Sequence, residues 1–367
     1  MNPLMNARLS TLLLIFGLFA SSCVPPSNPS KSTITPTVLA EPSATPTLSS
    51  TATQAVTTDT PISKPKIPLP VSNLPATLGL GFIYDQALGQ VTAFGGRQNG
   101  VCDYCADTWV WDFTTWTKAQ PSSHPEGRLE ANFVYDPVSK VSVLFGGMGQ
   151  NSFLGDTWLW NGKDWQKQNP AVSPLPRSGA AMAYDETRQV IMLFGGQTTG
   201  SSRQSTPLND TWIWDGKTWT ELHPTTRPPA ESGNPISMAF DATHQNMVLI
   251  DQGTWIFDGK NWAKLYPDPS PQFLTRGSLG YDKAHKQMVY VSGDGDAIPA
   301  ETTAVTWIWD GAHWTSVLTP KNLNGAGIVG LSDDPRHKVL LMFVDRAMSN
   351  QTNMAWAWDG IKWEQIY

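Results

Sequence analysis

The sequence predicts an all-β fold, a six-bladed propeller of four-stranded antiparallel blades preceded by a disordered linker. Three observations carry this. All seventeen tryptophans of the 367-residue chain fall in one frame: Trp, an aromatic two residues on, and Trp seven residues on. The frame recurs six times, as Trp109/Trp111/Trp116, Trp158/Trp160/Trp165, Trp212/Trp214/Trp219, Trp255/Phe257/Trp262, Trp307/Trp309/Trp314 and Trp356/Trp358/Trp363. Its spacings of 49, 54, 43, 52 and 49 residues are those of a repeat that builds one blade at a time.

The chain before the first copy has two parts. An apolar run from Leu12 to Ala20 follows Arg8 and is too short to span a bilayer, so it reads as the core of a signal peptide. Ala20-Ser21-Ser22-Cys23 then resembles a bacterial lipobox, with Ala where Leu is usual. On this reading residues 1–22 are removed and Cys23 becomes the lipidated N-terminus, held in a bilayer. An ordinary secretory signal with an incidental cysteine is the other reading; both place the protein outside the cytoplasm. Of residues 24–75, 29 are Ser, Thr or Pro and none is aromatic. Such a stretch cannot bury enough apolar surface to offset its ordering entropy, so residues 23–75 are expected to be an extended tether. The propeller is then expected over 76–367.

Each copy can be written as four strands, and the third is the clearest. Ala180–Tyr184 is the first strand, Asp185–Arg188 a turn, and Val190–Phe194 a second strand ending in Gly195-Gly196. A longer loop leads to Thr211–Trp214, and Asp215-Gly216 turns the chain into a fourth strand carrying Trp219. The aspartates Asp85, Asp136, Asp185, Asp241, Asp282 and Asp334 each precede the glycine-pair position by ten residues, so the first hairpin has constant length. The pair is Gly95-Gly96, Gly146-Gly147 and Gly195-Gly196 in the first three copies and is lost in the last three. Side chains alternate along a strand, which puts Trp212 and Trp214 on one face. A two-residue turn would pair Trp212 with Trp219 and a four-residue turn would pair Trp214 with Trp219. Either register gathers three rings on one side, and such a face needs an apolar partner, which a neighbouring blade supplies.

A strand ending in Gly-Gly, a variable loop, an Asp-Thr-Trp-x-Trp strand and a further Trp together resemble the kelch repeat and the related central propeller domain of galactose oxidase. The resemblance covers about 76–367 and is fullest in copies one to three. It implies four-stranded blades around a central channel. The Asp-Gly-x-x-Trp turn is also similar to the Asp-box of sialidases, with a different spacing. Galactose oxidase holds copper with two histidines and two tyrosines, one cross-linked to a cysteine, and no matching set is present here, so the resemblance carries no copper chemistry.

Strand alternation places the two tight turns of each blade on one face and the second-to-third loops on the other, together with the inter-blade connections. Loops on a rigid scaffold are where binding resides. Trp109 comes thirteen positions after Gly96 and Trp212 sixteen after Gly196, but Trp255 comes only three after Gln252, which would leave a notch in the rim. Arg97, Arg203 and Arg346 fall in these loops and are the candidates for meeting an anionic ligand. Cys102 and Cys105 lie in the first loop. No helical pattern surrounds them to lower a thiol pKa, and two cysteines do not complete a zinc site, so they read as a loop-stapling disulfide.

No catalytic residue or metal site is assigned. Asp294-Gly295-Asp296 is the one candidate for calcium, but it lacks the further spaced carboxylates of an EF-hand loop and reads as a solvated loop. Asp107, Asp156 and Asp210, each before Thr-Trp, read as strand-entry caps. His244, His285 and His337 recur at one place in the first hairpin and read as turn chemistry rather than ligands. A net charge of −6 without a basic stripe gives no footprint for nucleic acid. The expected function is therefore that of a membrane-anchored extracytoplasmic lipoprotein, binding a protein or glycan through its long-loop face. The alternative is a sugar-modifying enzyme, since the resemblance extends to a bacterial sialic-acid epimerase. Glu301 or Glu231, with Arg97 or Arg203, would then supply the chemistry.

Overall fold

The computed structural model describes residues 77–98, 100–199, 205–230, 236–271, 277–292, 304–320, 327–345 and 354–366. The leader, Cys23 and the tether lie outside these residues, as do Glu231, Glu301, the Asp294-Gly295-Asp296 segment, Arg203 and Arg346.

The described chain forms six four-stranded antiparallel sheets, each cut from contiguous sequence: 77–118, 132–168, 181–222, 237–265, 278–317 and 327–365. These are blades 1 to 6. Within each, the strands pair in chain order. The third blade uses Ala181–Asp185, Val190–Phe194, Thr211–Trp214 and Trp219–Leu222, and adds a separate small hairpin, Gln197–Thr199 with Ser205–Pro207. The six first strands neighbour one another in a closed cycle and surround a central axis. The ring closes without strand exchange, because blade 1 is wholly N-terminal and blade 6 wholly C-terminal.

The four-residue register is the one adopted, in all six blades: Trp111 faces Trp116, Trp160 faces Trp165, Trp214 faces Trp219, Phe257 faces Trp262, Trp309 faces Trp314 and Trp358 faces Trp363. The first turn residue decides this. Asp112, Asn161, Asp215, Asp258, Asp310 and Asp359 each accept, on Oδ1, the N–H groups two and three residues on. Such a side chain replaces a missing backbone acceptor and closes a four-residue loop.

The aromatic face of every blade packs on the blade before it. Trp212, Trp214 and Trp219 share a buried cluster with Val143 and Phe145 of blade 2, and the same relation repeats around the ring. A polar tie recurs within it. Trp165 Nε1 donates to Thr108 Oγ1 (2.8 Å), Trp219 to Thr157 (2.9 Å), Trp262 to Thr211 (3.1 Å), Trp314 to Thr254 (2.8 Å) and Trp363 to Thr306 (2.9 Å). Each bond crosses from the fourth strand of one blade to the third strand of the blade before, in a buried interface where an unpaired N–H is expensive. At the sixth interface, between blades 6 and 1, the threonine position is Ala355 and Trp116 Nε1 has no partner among the described residues. Aromatic packing holds this seam instead. Phe343 of blade 6 lies against Phe82, Trp111 and Trp116 of blade 1 at centroid distances of 4.5, 5.9 and 5.8 Å.

Candidate functional site

The two ends of the propeller differ in how their polar groups are used. At the turn end, the six repeated aspartates are all buried. Asp85, Asp136, Asp185, Asp241 and Asp334 each accept the N–H groups two and three residues on, and Asp282 accepts that of His285. The second carboxylate oxygen takes the side chain three residues on. This is Ser139 in blade 2, Arg188 in blade 3 and His244, His285 and His337 in blades 4 to 6, with His Nδ1 at 2.7, 2.7 and 2.6 Å. The histidines are thus turn groups rather than members of one cluster. In five of the six blades the residue at this place also meets the second turn of the next blade: Leu88 at Gly162, Arg188 at Gly259, His244 at Gly311, His285 at Gly360 and His337 at the Phe113 ring.

In blades 1, 2, 3 and 5 the residue before the aspartate is a tyrosine that reaches back to the previous blade's turn. Burial pushes the Tyr184 hydroxyl up to about 12, with the Asp136, Glu186 and Asp185 charges adding to it. Tyr281 shares a hydrogen bond with Thr243 (2.7 Å). In blade 6 this place is Asp333. Its Oδ1 accepts the N–H of Lys283 (3.1 Å), while its Oδ2 is buried without a partner among the described residues. Lys283 of blade 5 in turn pairs with Glu186 of blade 3 at 2.5 Å, spanning the first turn of blade 4. The turn end is knitted together by its own side chains.

The loop end is uneven. In blade 1 the first hairpin runs four residues past Phe94 to the pair Thr77–Gln98, and the loop beyond folds back through the bridge between Gln98 and Cys102. Cys102 and Cys105 are joined in a disulfide there. Arg97 stands on this raised hairpin, half-exposed, with Nε 3.1 Å from the more exposed Asp103 carboxylate. Blade 3 carries the second raised hairpin. Blade 4 has the short connection, closed by Asp251 N–H to Gly253 O (3.1 Å), with Trp255 Nε1 donating to Asp251 O. The three arginines expected here are not brought together among the described residues: Arg97 is on the blade 1 wall, and Arg203 and Arg346 lie outside them.

The aspartates before Thr-Trp do more than cap strands. Asp156 takes both terminal nitrogens of Arg128 (2.6 and 3.1 Å) and the indole N–H of Trp158 (2.7 Å). Asp210 does the same with Arg177 (2.7 and 2.7 Å) and Trp212 (2.7 Å). Both guanidinium groups are fully buried in the connections entering blades 2 and 3. They also donate to Gly146 O and Gly195 O at 2.9 Å. Burial raises each carboxyl, but the arginine's hydrogen bonds and charge outweigh it and hold Asp156 and Asp210 below the usual aspartate range. Asp107, for which no such arginine lies among the described residues, pairs with Lys118 (2.8 Å). The glycine pairs are explained by the same connections: a Cβ on Gly95 would stand 2.6 Å from Arg128 O, and one on Gly146 2.7 Å from Arg177 O. Neither arginine was singled out from sequence. The signal was a repeated Pro-x-x-Arg, Pro125 to Arg128 and Pro174 to Arg177, at the same distance before Asp136 and Asp185.

The loop end also places Glu130 at the entry to blade 2. Its backbone is left-handed (φ 52°), and Ser178 Oγ of the next blade donates to its Oε2 at 2.7 Å.

A profile of the KLHDC2/KLHL20/DRC7 Kelch-repeats domain matches residues 81–270, just over half of the chain. This chain belongs to the kelch-repeat family. Among solved structures, one titled "Structure of YjhT" matches with a TM-score of 0.55 and 13% identity, over 81% of this chain and 99% of that one. At that identity the likeness is one of fold. No curated protein matches. The matched region takes in kelch blades 1 to 4 and every Arg–Asp–Trp lock described above; blades 5 and 6 keep the architecture with the glycine pair lost.

Proposed function

We propose that this kelch propeller is a binding module of the cell envelope, lipid-anchored through Cys23, that engages a protein or glycan partner with its loop end. The observation that supports this most is the contrast between the two ends. On the turn end nearly every described carboxylate and turn residue is engaged with its own or a neighbouring blade. The loop end raises two hairpins on blades 1 and 3, drops to a short connection on blade 4, and leaves polar side chains exposed between them. Uneven, polar, rigidly mounted loops are a recognition surface rather than a packing surface. The disulfide in the blade 1 loop fits an oxidising compartment, in line with the leader and tether.

Two experiments test the reading. In cells, Cys23→Ser is expected to move the chain from the membrane fraction to the soluble one; an unchanged distribution would refute the anchor. For binding, the full chain is titrated with a panel of sugars and isolated envelope proteins, beside Thr198→Arg at the loop end and Lys217→Glu at the turn end. A ligand lost with the first substitution and kept with the second is expected; the reverse would place recognition on the other end.

A further inference from the structure

We infer that the interface between blades 1 and 2 binds an internal water molecule, held by Thr92, Ser142 and Trp160. The inference is independent of the loop-end reading and starts from a departure from the repeat. In each blade the residue seven after the repeated aspartate lies on the second strand and faces the next blade. The residue six after the next blade's aspartate faces back towards it. At five of the six interfaces this pair is apolar and shares one buried cluster, as Val143 does with Ile191 and Val289 with Leu340. Between blades 1 and 2 the pair is Thr92 and Ser142. Both residues are 0% exposed, and neither hydroxyl has a partner among the described residues.

The strand register places both hydroxyls in that interface. Thr92 pairs with Ile83 on one side and Val110 on the other, and Ser142 pairs with Tyr135 and Trp160. Directly opposed residues share a face of the sheet. Ile83, Val110, Tyr135 and Trp160 all belong to the cluster between blades 1 and 2, so Thr92 and Ser142 point into it as well. Trp160 Nε1 is buried there, also without a partner among the described residues. Trp111, Trp214 and Trp358 carry the same unpaired N–H beside apolar pairs, so it is the two hydroxyls that single out this interface. Leaving them unbonded away from solvent is costly, because each loses its hydrogen bonds to water and gains none. An internal water needs a polar site, room and two to four partners. Serine is smaller than the valine, isoleucine, methionine or leucine at its place in the other blades, which frees volume beside Thr92. The indole N–H donates and each hydroxyl both donates and accepts, so the three groups match the bonds a single water makes. With all three residues at 0% exposure, the water leaves only when blades 1 and 2 part, and its residence time therefore reports the opening of this interface.

The test uses the full chain and three measurements. A high-resolution crystal structure of wild type is expected to show one ordered water about 2.7–3.0 Å from both Thr92 Oγ1 and Ser142 Oγ. Hydroxyls bonded to each other or to a backbone carbonyl, with no water between them, would overturn the inference. In solution, relaxation dispersion of the water oxygen measures long-lived internal waters. The double variant Thr92→Val with Ser142→Ile, which carries the residues found between blades 2 and 3, is expected to lose the contribution of one such water. An unchanged amplitude would count against the site. Thr92→Val alone keeps the shape and removes one bond to the water, so it is expected to melt about 2 °C lower than wild type. Were no water present, the same change would only remove an unpaired hydroxyl, and a variant that melts higher would overturn the inference. Should the double variant fail to fold, the wild-type crystal and the single variant still decide.

Discussion

Trp116 and Ala355 share one buried cluster across the seam where the ring closes, and Ala355 stands where the other five interfaces carry a threonine. Phe343 pairs with Ala355 as Phe94 pairs with Thr108, and Trp116 lies on Phe343 as Trp165 lies on Phe94. The geometry is the same; the hydroxyl is missing. Ala355→Thr is therefore expected to give Trp116 Nε1 its acceptor and to stabilise the fold by about 1 kcal/mol. Thr157→Val, the reverse change at an intact interface, is expected to cost about 1–3 kcal/mol by stranding Trp219 Nε1. Chemical denaturation of both variants checks the pair. An Ala355→Thr chain less stable than wild type would mean that the seam has no room for a hydroxyl.

The Arg128–Asp156 and Arg177–Asp210 locks make a prediction with a definite pH sign. Both carboxyls are held below their ordinary 3.8 in the folded chain. Their stabilising contribution is thus fully present above that value and is lost as pH falls through it towards the lower folded value. Acid unfolding is expected to be shallower in Asp156→Asn and Asp210→Asn, which start less stable at pH 7. Arg128→Met, which strands a partly buried carboxylate, is expected to cost about 3 kcal/mol at pH 7. Equal acid slopes in wild type and the Asn variants would show that the locks do not titrate with folding.

Most of the scaffold was legible because a blade repeats. Six copies of one tryptophan frame reveal the period, and the period implies inter-blade packing of the rings, as in the cluster of Trp214 and Trp219 with Phe145. The turn length was not legible from the aromatic spacing alone, since both registers put the rings on one face; the two hydrogen bonds from Asp215 Oδ1 decide it. The Arg128–Asp156 pair joins the connection entering blade 2 to the start of that blade's third strand, and no local pattern links residues 28 positions apart. Glu130 was invisible for another reason: its left-handed backbone becomes apparent only when it is aligned with Gly79 and Gly179. The loop arginines were legible as loop residues, but a loop position carries no information on what faces it, and Arg97 faces Asp103.

Asp333 is expected to respond to pH in the opposite direction from the locks. Burial pushes its carboxyl up to about 6, against the opposing pull of the Lys283 N–H and charge. The folded value lies above the unfolded 3.8, so the protonated form is favoured by folding. The associated stability is complete below 3.8 and is lost as pH rises through 6. Stability is therefore expected to climb as pH drops from 7 to 5, before the Asp156 and Asp210 losses begin. Asp333→Asn is expected to remove that climb and to add about 2 kcal/mol at pH 7. Melting curves between pH 4 and pH 8 (about one unit apart) separate the two signs, and a wild-type profile flat from 7 to 5 would refute the assignment.

Phe113 sets two terms against each other at the seam. The same turn position is Gly162, Gly216, Gly259, Gly311 or Gly360 in the other blades, and Phe113 adopts their left-handed backbone at φ 68°. Phe113→Gly would release about 1 kcal/mol of backbone strain. Yet the ring is 3% exposed and packs at 4.6 Å from Trp111, 4.5 Å from His337 and 6.1 Å from Tyr84. Deleting a buried phenylalanine side chain costs about 3–5 kcal/mol. Packing wins, and the variant is expected to be less stable by about 2–4 kcal/mol. The loss should be concentrated at the blade 1 and blade 6 interface, because no peptide linker joins those two blades there. Hydrogen exchange is expected to rise first in the first strands of these two blades, and protection lost evenly around the ring would show that the seam is no weaker than its neighbours.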